Sequence, residues 1–147
     1  MTYTEIKGDL FSAPKDYYLV HCISSDFALG AGIAKQFAEK FDMKQKLIDR
    51  YPNYSQYFQE NNLYADCLFV DRVFNLVTKH YYWEKPTYYS LEVALKKLLF
   101  ECIVKNITKL AMPKIGCGLD RLEWEKVSEM IQNIFKSQDV SIIVYYI

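Results

Sequence analysis

Apolar strand-like runs alternate with amphipathic helical segments, and this alternation restricts the fold more than any other feature of the chain. Residues 17–23 are almost continuously apolar, which is typical of a strand covered on both faces. After Pro86, apolar side chains recur at helical spacing from Leu91 to Ile103, which predicts an amphipathic helix. Strands that alternate with helices predict an α/β domain with a mixed, mostly parallel sheet.

The same patterns predict the remaining elements. Strands are expected over residues 2–7, 64–70, 73–77, 109–112 and 140–147. Helices are expected over 33–41 and 124–135, and the polar, Tyr-rich stretch 42–62 is expected to hold one short helix and an irregular segment. A tight turn is predicted at Asp71-Arg72. The length is that of one domain, which we place over residues 1–147.

Composition and charge limit the compartment and the partners. The chain has 18 basic and 18 acidic residues, so bulk charge gives it no attraction for nucleic acid. Its four cysteines form no C-x-x-C pair, which favours free thiols in a reducing compartment. No signal-peptide pattern and no apolar run of about 18 residues is present. We expect a soluble, monomeric, cytoplasmic or nuclear protein that does not bind membranes and needs neither a metal nor a cofactor.

All five glycines lie in three short clusters, at Gly8, at 30–32 and at 116–118, each after a predicted strand. Glycine lets the backbone approach a ligand closely, and successive N–H groups form an anion site. The carboxyl ends of parallel strands meet at one edge of a sheet, where ligands bind. The dinucleotide fingerprint is incomplete because Lys35 occupies its third glycine position, and the Walker pattern is absent. The glycines therefore predict a phosphate-binding edge of another kind.

Four motifs resemble those of the macrodomain family, most closely the subgroup that contains terminal ADP-ribose protein glycohydrolase. They are Lys7-Gly-Asp-Leu-Phe11, His21-Cys-Ile-Ser24 with Gly30-Ala-Gly-Ile-Ala34, Lys85-Pro-Thr-Tyr88, and the segment from Met112 to Trp124. They occur in the family's order and span most of the chain. The resemblance implies a three-layer α/β/α domain that binds ADP-ribose in a cleft along one edge of the sheet.

The resemblance also implies which residues contact the ligand. Two loops would wrap the diphosphate and the distal ribose: Gly30, Ala31, Gly32 and Ile33, and then Lys114, Ile115, Gly116, Cys117, Gly118 and Leu119. Asp9 and Leu10 would hold the adenine end, Ser24 would contact the substrate, and Ile147 would line the adenosine pocket. Lys114 stands where related proteins have arginine, so a bidentate contact would be lost.

Lys79 and Asp120 are the catalytic pair that the resemblance implies. The Lys79 amine would attack the anomeric carbon of the distal ribose, and Asp120 would act as a general acid and base. The implied reaction removes ester-linked mono-ADP-ribose from acidic side chains and deacylates O-acyl-ADP-ribose. The implied partners are ADP-ribose and ADP-ribosylated protein, and some relatives act on ADP-ribosylated nucleic acid. The amine attacks only after it loses a proton, which a neighbouring carboxylate opposes.

Other interpretations remain open at this point. The chain is also consistent with a non-catalytic ADP-ribose reader or with an ADP-ribose 1″-phosphate phosphatase. By residue type alone, Lys79 is typical of a solvated lysine at a strand end. Asp120-x-x-Glu123 before an apolar helix is typical of an N-cap with a reciprocal glutamate. Asp9 is also typical of a residue that starts a turn.

Four further positions have structural interpretations. His21 lies in an apolar run and is expected to be a hydrogen-bonded core histidine, whereas His80 is expected at the surface. The aromatic run 81–83 is expected to be a packed loop. Cys117 is expected to be a small residue that faces the core and not a nucleophile.

Overall fold

A six-stranded sheet lies at the centre of the computed structural model, which describes all residues from 1 to 147. In chain order the strands are β1 (Thr2–Lys7), β2 (Tyr18–Ser24), β3 (Asp66–Val70), β4 (Val73–Lys79), β5 (Lys109–Pro113) and β6 (Ser141–Tyr146). Their order in the sheet is β1-β6-β5-β2-β4-β3. Every neighbouring pair is parallel except β3 with β4. The predicted mixed, mostly parallel sheet is confirmed.

Five α-helices cover the two faces of this sheet. They are α1 (Gly32–Phe41), α2 (Met43–Arg50), α3 (Tyr54–Glu60), α4 (Tyr88–Lys105) and α5 (Trp124–Phe135). A one-turn 3-10 helix spans Leu10–Ser12. One apolar core lies between the sheet and α4 with α5, and a second lies between the sheet and α1 to α3. The three-layer α/β/α arrangement is thereby confirmed. None of the helices combines the length and apolar character that crossing a membrane requires.

The stretch 42–62 is more regular than its composition suggested. It holds two helices, α2 and α3, so the predicted irregular segment is wrong. Each helix buries a pair of apolar side chains spaced four residues apart, Met43 with Leu47 and Tyr54 with Phe58. Side chains at this spacing share one helix face, and their burial stabilises helices that are too short to form alone.

Strand β4 is longer than its apolar pattern indicated. It continues beyond Val77 to Lys79, and its partner β3 begins at Asp66, two residues later than predicted. The predicted turn between them is confirmed, with Asp71 in the left-handed region (φ 55°). The extension of β4 places Lys79 as the last residue of a strand and directs it to the sheet edge.

Candidate active site

Five parallel strands end at the same edge of the sheet, and each carries a predicted site residue there. In the order of the strands across the sheet, these residues are Asp9, Ile147, Lys114, Ser24 and Lys79. Neighbouring strands lie about 4.8 Å apart, so the four steps from β1 to β4 span about 19 Å. The edge is therefore long enough for an extended ligand with a reactive group at its β4 end.

Lys79 and Asp120 form a shielded ion pair at the β4 end of this edge. The Lys79 Nζ donates to the Asp120 Oδ1 at 2.7 Å, and the two side chains are 14% and 16% exposed. Lys79 lies opposite Ser24 in the pairing of β2 with β4. The interpretation of Lys79 as a solvated lysine is wrong. At this distance a proton can pass directly between the amine and the carboxylate.

Asp120 does not cap the following helix. Helix α5 begins at Trp124, and its N-cap residue is Glu123, whose side chain makes no capping bond. Arg121 has a left-handed backbone (φ 64°), so the chain cannot enter the helix directly from Asp120. The capping interpretation is therefore wrong, and the carboxylate of Asp120 is directed to Lys79.

Asp26 organises the loop that follows β2, and the sequence analysis missed it. Its Oδ1 accepts from the Ser24 hydroxyl at 2.5 Å and from the Ala28 N–H at 3.2 Å, and its Oδ2 accepts from the Tyr82 N–H at 3.0 Å. One carboxylate thus joins the loops after β2 and β4. The short-range part of this pattern, an Asp two residues after a strand end, is a recognisable Asx-turn signal. The bond to residue 82 leaves no local signal in the sequence.

The same loop holds two bulky residues in the left-handed region. Phe27 (φ 53°) and Leu29 (φ 41°) are both buried, and Phe27 stacks on Tyr54 with ring centroids 5.3 Å apart. Such residues rarely adopt positive φ, and strain of this kind is found mainly at functional sites. Burial of both side chains offsets the strain and fixes the path of the chain into α1.

The N-terminus of α1 is open towards the edge. Its N-cap residue is Ala31, no side chain caps it, and its first turn has no acidic residue. The first N–H groups of a helix carry partial positive charge and bind anions. A Cβ on Gly32 would lie 3.5 Å from the Leu119 Cδ1, so the two glycine loops approach each other here. This segment is therefore suited to an anion, and contact of residues 30–33 with a ligand stays a prediction.

Of the two glycines in the second loop, only Gly116 has a backbone conformation that requires glycine. Gly116 has φ 74°, and a Cβ there would lie 3.0 Å from the Leu122 Cδ1 and 3.3 Å from the Leu91 Cδ2. Gly118 has no neighbour within 4 Å of such a Cβ and is exposed. Ile115 is buried in the core beneath them. Gly116 thus lets the loop pack closely on α4, and Gly118 borders open space.

Cys117 lies within this loop as an inactive thiol. Its Sγ donates to the Ile115 carbonyl at 3.3 Å, and burial raises its pKa to about 11. Burial also raises the pKa of Cys22 on β2 well above its usual range. Both groups are protonated at neutral pH, which agrees with the prediction that Cys117 is not a nucleophile.

The residues predicted for the adenine end differ in exposure. Asp9 accepts from the Phe11 N–H at 3.0 Å, which confirms that it starts a turn. Leu10 is buried in the core, and Ile147 is fully exposed. Their contact with a ligand stays a prediction.

Lys114 lies against two aromatic rings after β5. Its Nζ is 4.8 Å from the ring centre of Tyr146 and 5.9 Å from that of Trp124. These distances are typical of cation–π contacts. The ammonium is therefore held beside the β6 end of the edge, between the two ends of the predicted cleft.

The two histidines have different surroundings. His21 is fully buried, and its Nε2 bonds the Asn75 Oδ1 at 2.5 Å, which confirms the predicted core histidine. Burial lowers its pKa to about 4. His80 is half-buried, with its Nε2 3.1 Å from the Ser55 Oγ and its ring stacked on Tyr81, so it lies at the surface but is partly packed.

Within the aromatic run, only Tyr81 is packed as predicted. Its ring stacks between His80 and Trp83, with centroids 3.8 and 4.6 Å away. Tyr82 and Trp83 are more than 60% exposed. The structure brings no three His, Cys, Asp or Glu side chains close enough together to hold a metal ion.

Comparisons with known proteins agree on one family. Residues 20–131 match the model of the Macro domain. ADP-ribose glycohydrolase OARD1 of Homo sapiens is 40% identical over 144 residues, which cover 97% of this chain and 90% of that protein.

Two solved structures have the same overall fold. The macrodomain of Thermus aquaticus DarG superposes with a TM-score of 0.80 at 24% identity, over 99% of both chains. The macrodomain of Mycobacterium tuberculosis DarG gives a TM-score of 0.81 at 23% identity, over 98% of this chain and 97% of that one. At these identities the likeness shows a shared fold.

Proposed function

The chain belongs to the macrodomain family, as its four motifs predicted, and we propose that it is a hydrolase of ADP-ribose esters. It removes mono-ADP-ribose from glutamate and aspartate side chains and deacylates O-acyl-ADP-ribose. The observation that carries the proposal is the shielded Lys79–Asp120 pair, with Nζ and Oδ1 2.7 Å apart at the sheet edge. A relative named as an ADP-ribose glycohydrolase supports the same reaction class.

In this proposal the ligand lies extended along the sheet edge. The adenine is held near Asp9 and Ile147, and the diphosphate is bound by residues 30–33, where the open N-terminus of α1 favours anions. The distal ribose lies beneath residues 116–118, so that its anomeric carbon faces Lys79. The span of about 19 Å between β1 and β4 supports this arrangement.

The reaction begins with transfer of a proton from Lys79 to Asp120. The free amine attacks the anomeric carbon, the bond from that carbon to the acceptor carboxylate breaks, and the carboxylate leaves with its electron pair. The ribose ring then opens to give an imine between Lys79 and the anomeric carbon. Water adds to the imine carbon, the carbon–nitrogen bond breaks, and ADP-ribose and the lysine are released. Asp120 exchanges protons with the incoming water and the departing amine.

A panel of substrates tests this proposal. The panel contains a glutamate-linked mono-ADP-ribosylated protein, O-acetyl-ADP-ribose, ADP-ribose 1″-phosphate and an ADP-ribosylated DNA strand. Release of ADP-ribose is measured with the wild type and with Lys79→Ala, and ADP-ribose binding is measured by calorimetry. We expect the wild type to cleave the two esters, and the variant to bind ADP-ribose without cleaving them.

Lys109→Ala is the matched control, because Lys109 also pairs with an aspartate but lies at the opposite end of β5. It is expected to keep full activity. Tight binding without turnover by the wild type would make the protein a reader. Phosphate release as the only activity would identify a 1″-phosphatase, and full ester cleavage by Lys79→Ala would exclude the lysine mechanism.

A further inference from the structure

The motif Lys85-Pro-Thr-Tyr88 has no part in the chemistry described above, although it is one of the four that identify the family. We propose that Lys85 and Tyr88 are positioning residues that hold Asp120 against Lys79. This inference rests on the proposed function, because it assigns these two side chains a part in the same reaction without contact with the substrate.

Two hydrogen bonds carry the inference, and they lie on either side of Asp120. The Lys85 Nζ donates to the Leu119 carbonyl at 2.7 Å, one residue before Asp120. The Tyr88 hydroxyl accepts from the Glu123 N–H at 3.0 Å, three residues after it. The motif therefore forms hydrogen bonds with the loop on both sides of Asp120, the carboxylate that pairs with Lys79.

The loop needs this support because only Leu122, which packs against the core, anchors it by burial near Asp120. Gly118, Leu119, Arg121 and Glu123 are all exposed, and Arg121 adopts a left-handed backbone. Segments with few buried contacts open easily, so their position depends on the hydrogen bonds that remain. A bond from an ammonium to a carbonyl is stronger than one between neutral groups, and it is suited to this task.

The motif itself is fixed to the core. Pro86 is buried, and Thr87 caps α4, where its Oγ1 accepts from the Ser90 N–H at 3.0 Å and its own N–H donates to the Ser90 Oγ at 3.0 Å. Leu91 of the same helix packs beneath Gly116. Tyr88 is thus the first residue of a capped helix and Lys85 directly precedes the buried Pro86, so both side chains reach the loop from backbone that is tied to the core.

Positioning of this kind affects the rate because the reacting groups must be aligned to within a fraction of an ångström. The Lys79–Asp120 contact is a direct 2.7 Å bond, and a small shift of the loop would break it. Loss of either anchor is therefore expected to lower kcat while leaving the rest of the binding edge intact.

The test compares Lys85→Met and Tyr88→Phe, which remove one bond each with little change in shape. In steady-state hydrolysis of the glutamate-linked substrate, we expect kcat to fall about tenfold for Lys85→Met and about threefold for Tyr88→Phe. Lys85→Arg, which keeps a charged donor at this position, is expected to retain most of the wild-type kcat. Lys96→Met, on the exposed face of α4, is the matched control and keeps wild-type kcat.

A double variant separates positioning from a general structural role. If Lys85 acts through Asp120, adding Lys85→Met to Asp120→Asn causes no further loss in single-turnover rate. A further tenfold loss in that background would overturn the proposal, as would wild-type kcat in both single variants.

Hydrogen exchange tests the positioning independently of turnover. The amides of residues 117–122 are expected to exchange at least about tenfold faster in Lys85→Met than in the wild type and in Lys96→Met. Unchanged exchange would refute the anchoring whether or not the protein hydrolyses esters. If the wild type cleaves no substrate while exchange rises as expected, the anchoring stands and the proposed hydrolase function fails.

Discussion

The two glycine loops meet at the sheet edge, but different forces hold them in place. The loop after β2 is fixed by burial of Phe27 and Leu29 and by three hydrogen bonds to Asp26, two from its own segment and one from the loop after β4. The loop after β5 is fixed at its start, where Gly116 packs on Leu91, and beyond that point Gly118, Leu119 and Arg121 are exposed on either side of the shielded Asp120. Asp120, the proposed acid and base, thus lies on the less buried of the two loops.

This difference suggests that the first loop contributes mainly to binding and the second mainly to turnover. A loop held by burial presents a binding surface that exists before the ligand arrives, which reduces the entropy cost of binding. A loop held by a few hydrogen bonds can adjust as the substrate is bound and released. Changes in the first loop are therefore expected to alter affinity, and changes in the second to alter turnover.

The largest expected effect comes from the two carboxylates. Asp120→Asn is expected to lower kcat for ester cleavage at least about 100-fold, because the amide cannot take a proton from Lys79. ADP-ribose affinity should change less than about threefold. Asp26→Asn is expected to show the reverse, with a Kd about tenfold weaker and kcat within about threefold of the wild type. Calorimetry and initial rates measure the two effects, and equal losses of both in both variants would contradict the division.

The second prediction concerns pH and the strand beneath the first loop. The pKa of His21 is about 4 in the folded protein and about 6.5 when unfolded, because burial opposes its protonation. Below pH 6.5 the unfolded chain binds a proton that the folded chain does not, so the free energy of unfolding falls as pH drops from 6.5 to 4. The loss over that interval is about 3 kcal/mol.

Urea unfolding at pH 7, 5.5 and 4.5 measures this loss. His21→Gln has no titrating ring, so its unfolding free energy should be lower at pH 7 but depend less on pH in that interval. An equally steep dependence in the variant would assign the effect to other groups.

The third prediction uses the two glycines of the second loop as a matched pair. Gly116→Ala places a Cβ at positive φ and 3.0 Å from Leu122, and should cost about 2 kcal/mol in the free energy of unfolding. Gly118→Ala meets no atom within 4 Å and should cost less than about 0.5 kcal/mol. Urea midpoints for both variants test this, and equal costs would show that the start of the loop is not packed as described.

The smallest expected effect is at Lys114. Lys114→Arg introduces a planar fork that can contact a phosphate or a ribose hydroxyl in two places while still stacking on Tyr146. We expect ADP-ribose to bind about threefold more tightly, as measured by calorimetry. Weaker binding would mean that the shape of the lysine, and not its charge alone, is required at this position.

The sequence predicted the fold well where apolar spacing is clear. The helix around Leu91 and Leu98 and the strand 17–23 had strong periodicity, and both were found with small shifts in their ends. The region 42–62 was predicted less well, because polar residues surround its two buried pairs and tertiary packing supplies most of its stability.

The candidate site was only partly predictable, for a physical reason. That the glycine clusters meet at one edge could be inferred from topology, whereas Ser24 and Lys79 were singled out only by the family resemblance, and the structure places them opposite each other. The bonds that connect distant segments could not, since the contact from Asp26 to residue 82 spans 56 residues. A local pattern even misled at Asp120, where a capping motif coincides with a carboxylate directed to Lys79.

Reductive trapping on Lys79 tests the proposed mechanism most directly. The wild type is mixed with the glutamate-linked substrate in the presence of borohydride, which reduces an imine to a stable amine, and the adduct is located by mass spectrometry. We predict a single ADP-ribosyl adduct on Lys79 that forms during turnover and is absent from Lys79→Ala. Turnover without any adduct, or the same adduct on other lysines in Lys79→Ala, would contradict the covalent mechanism.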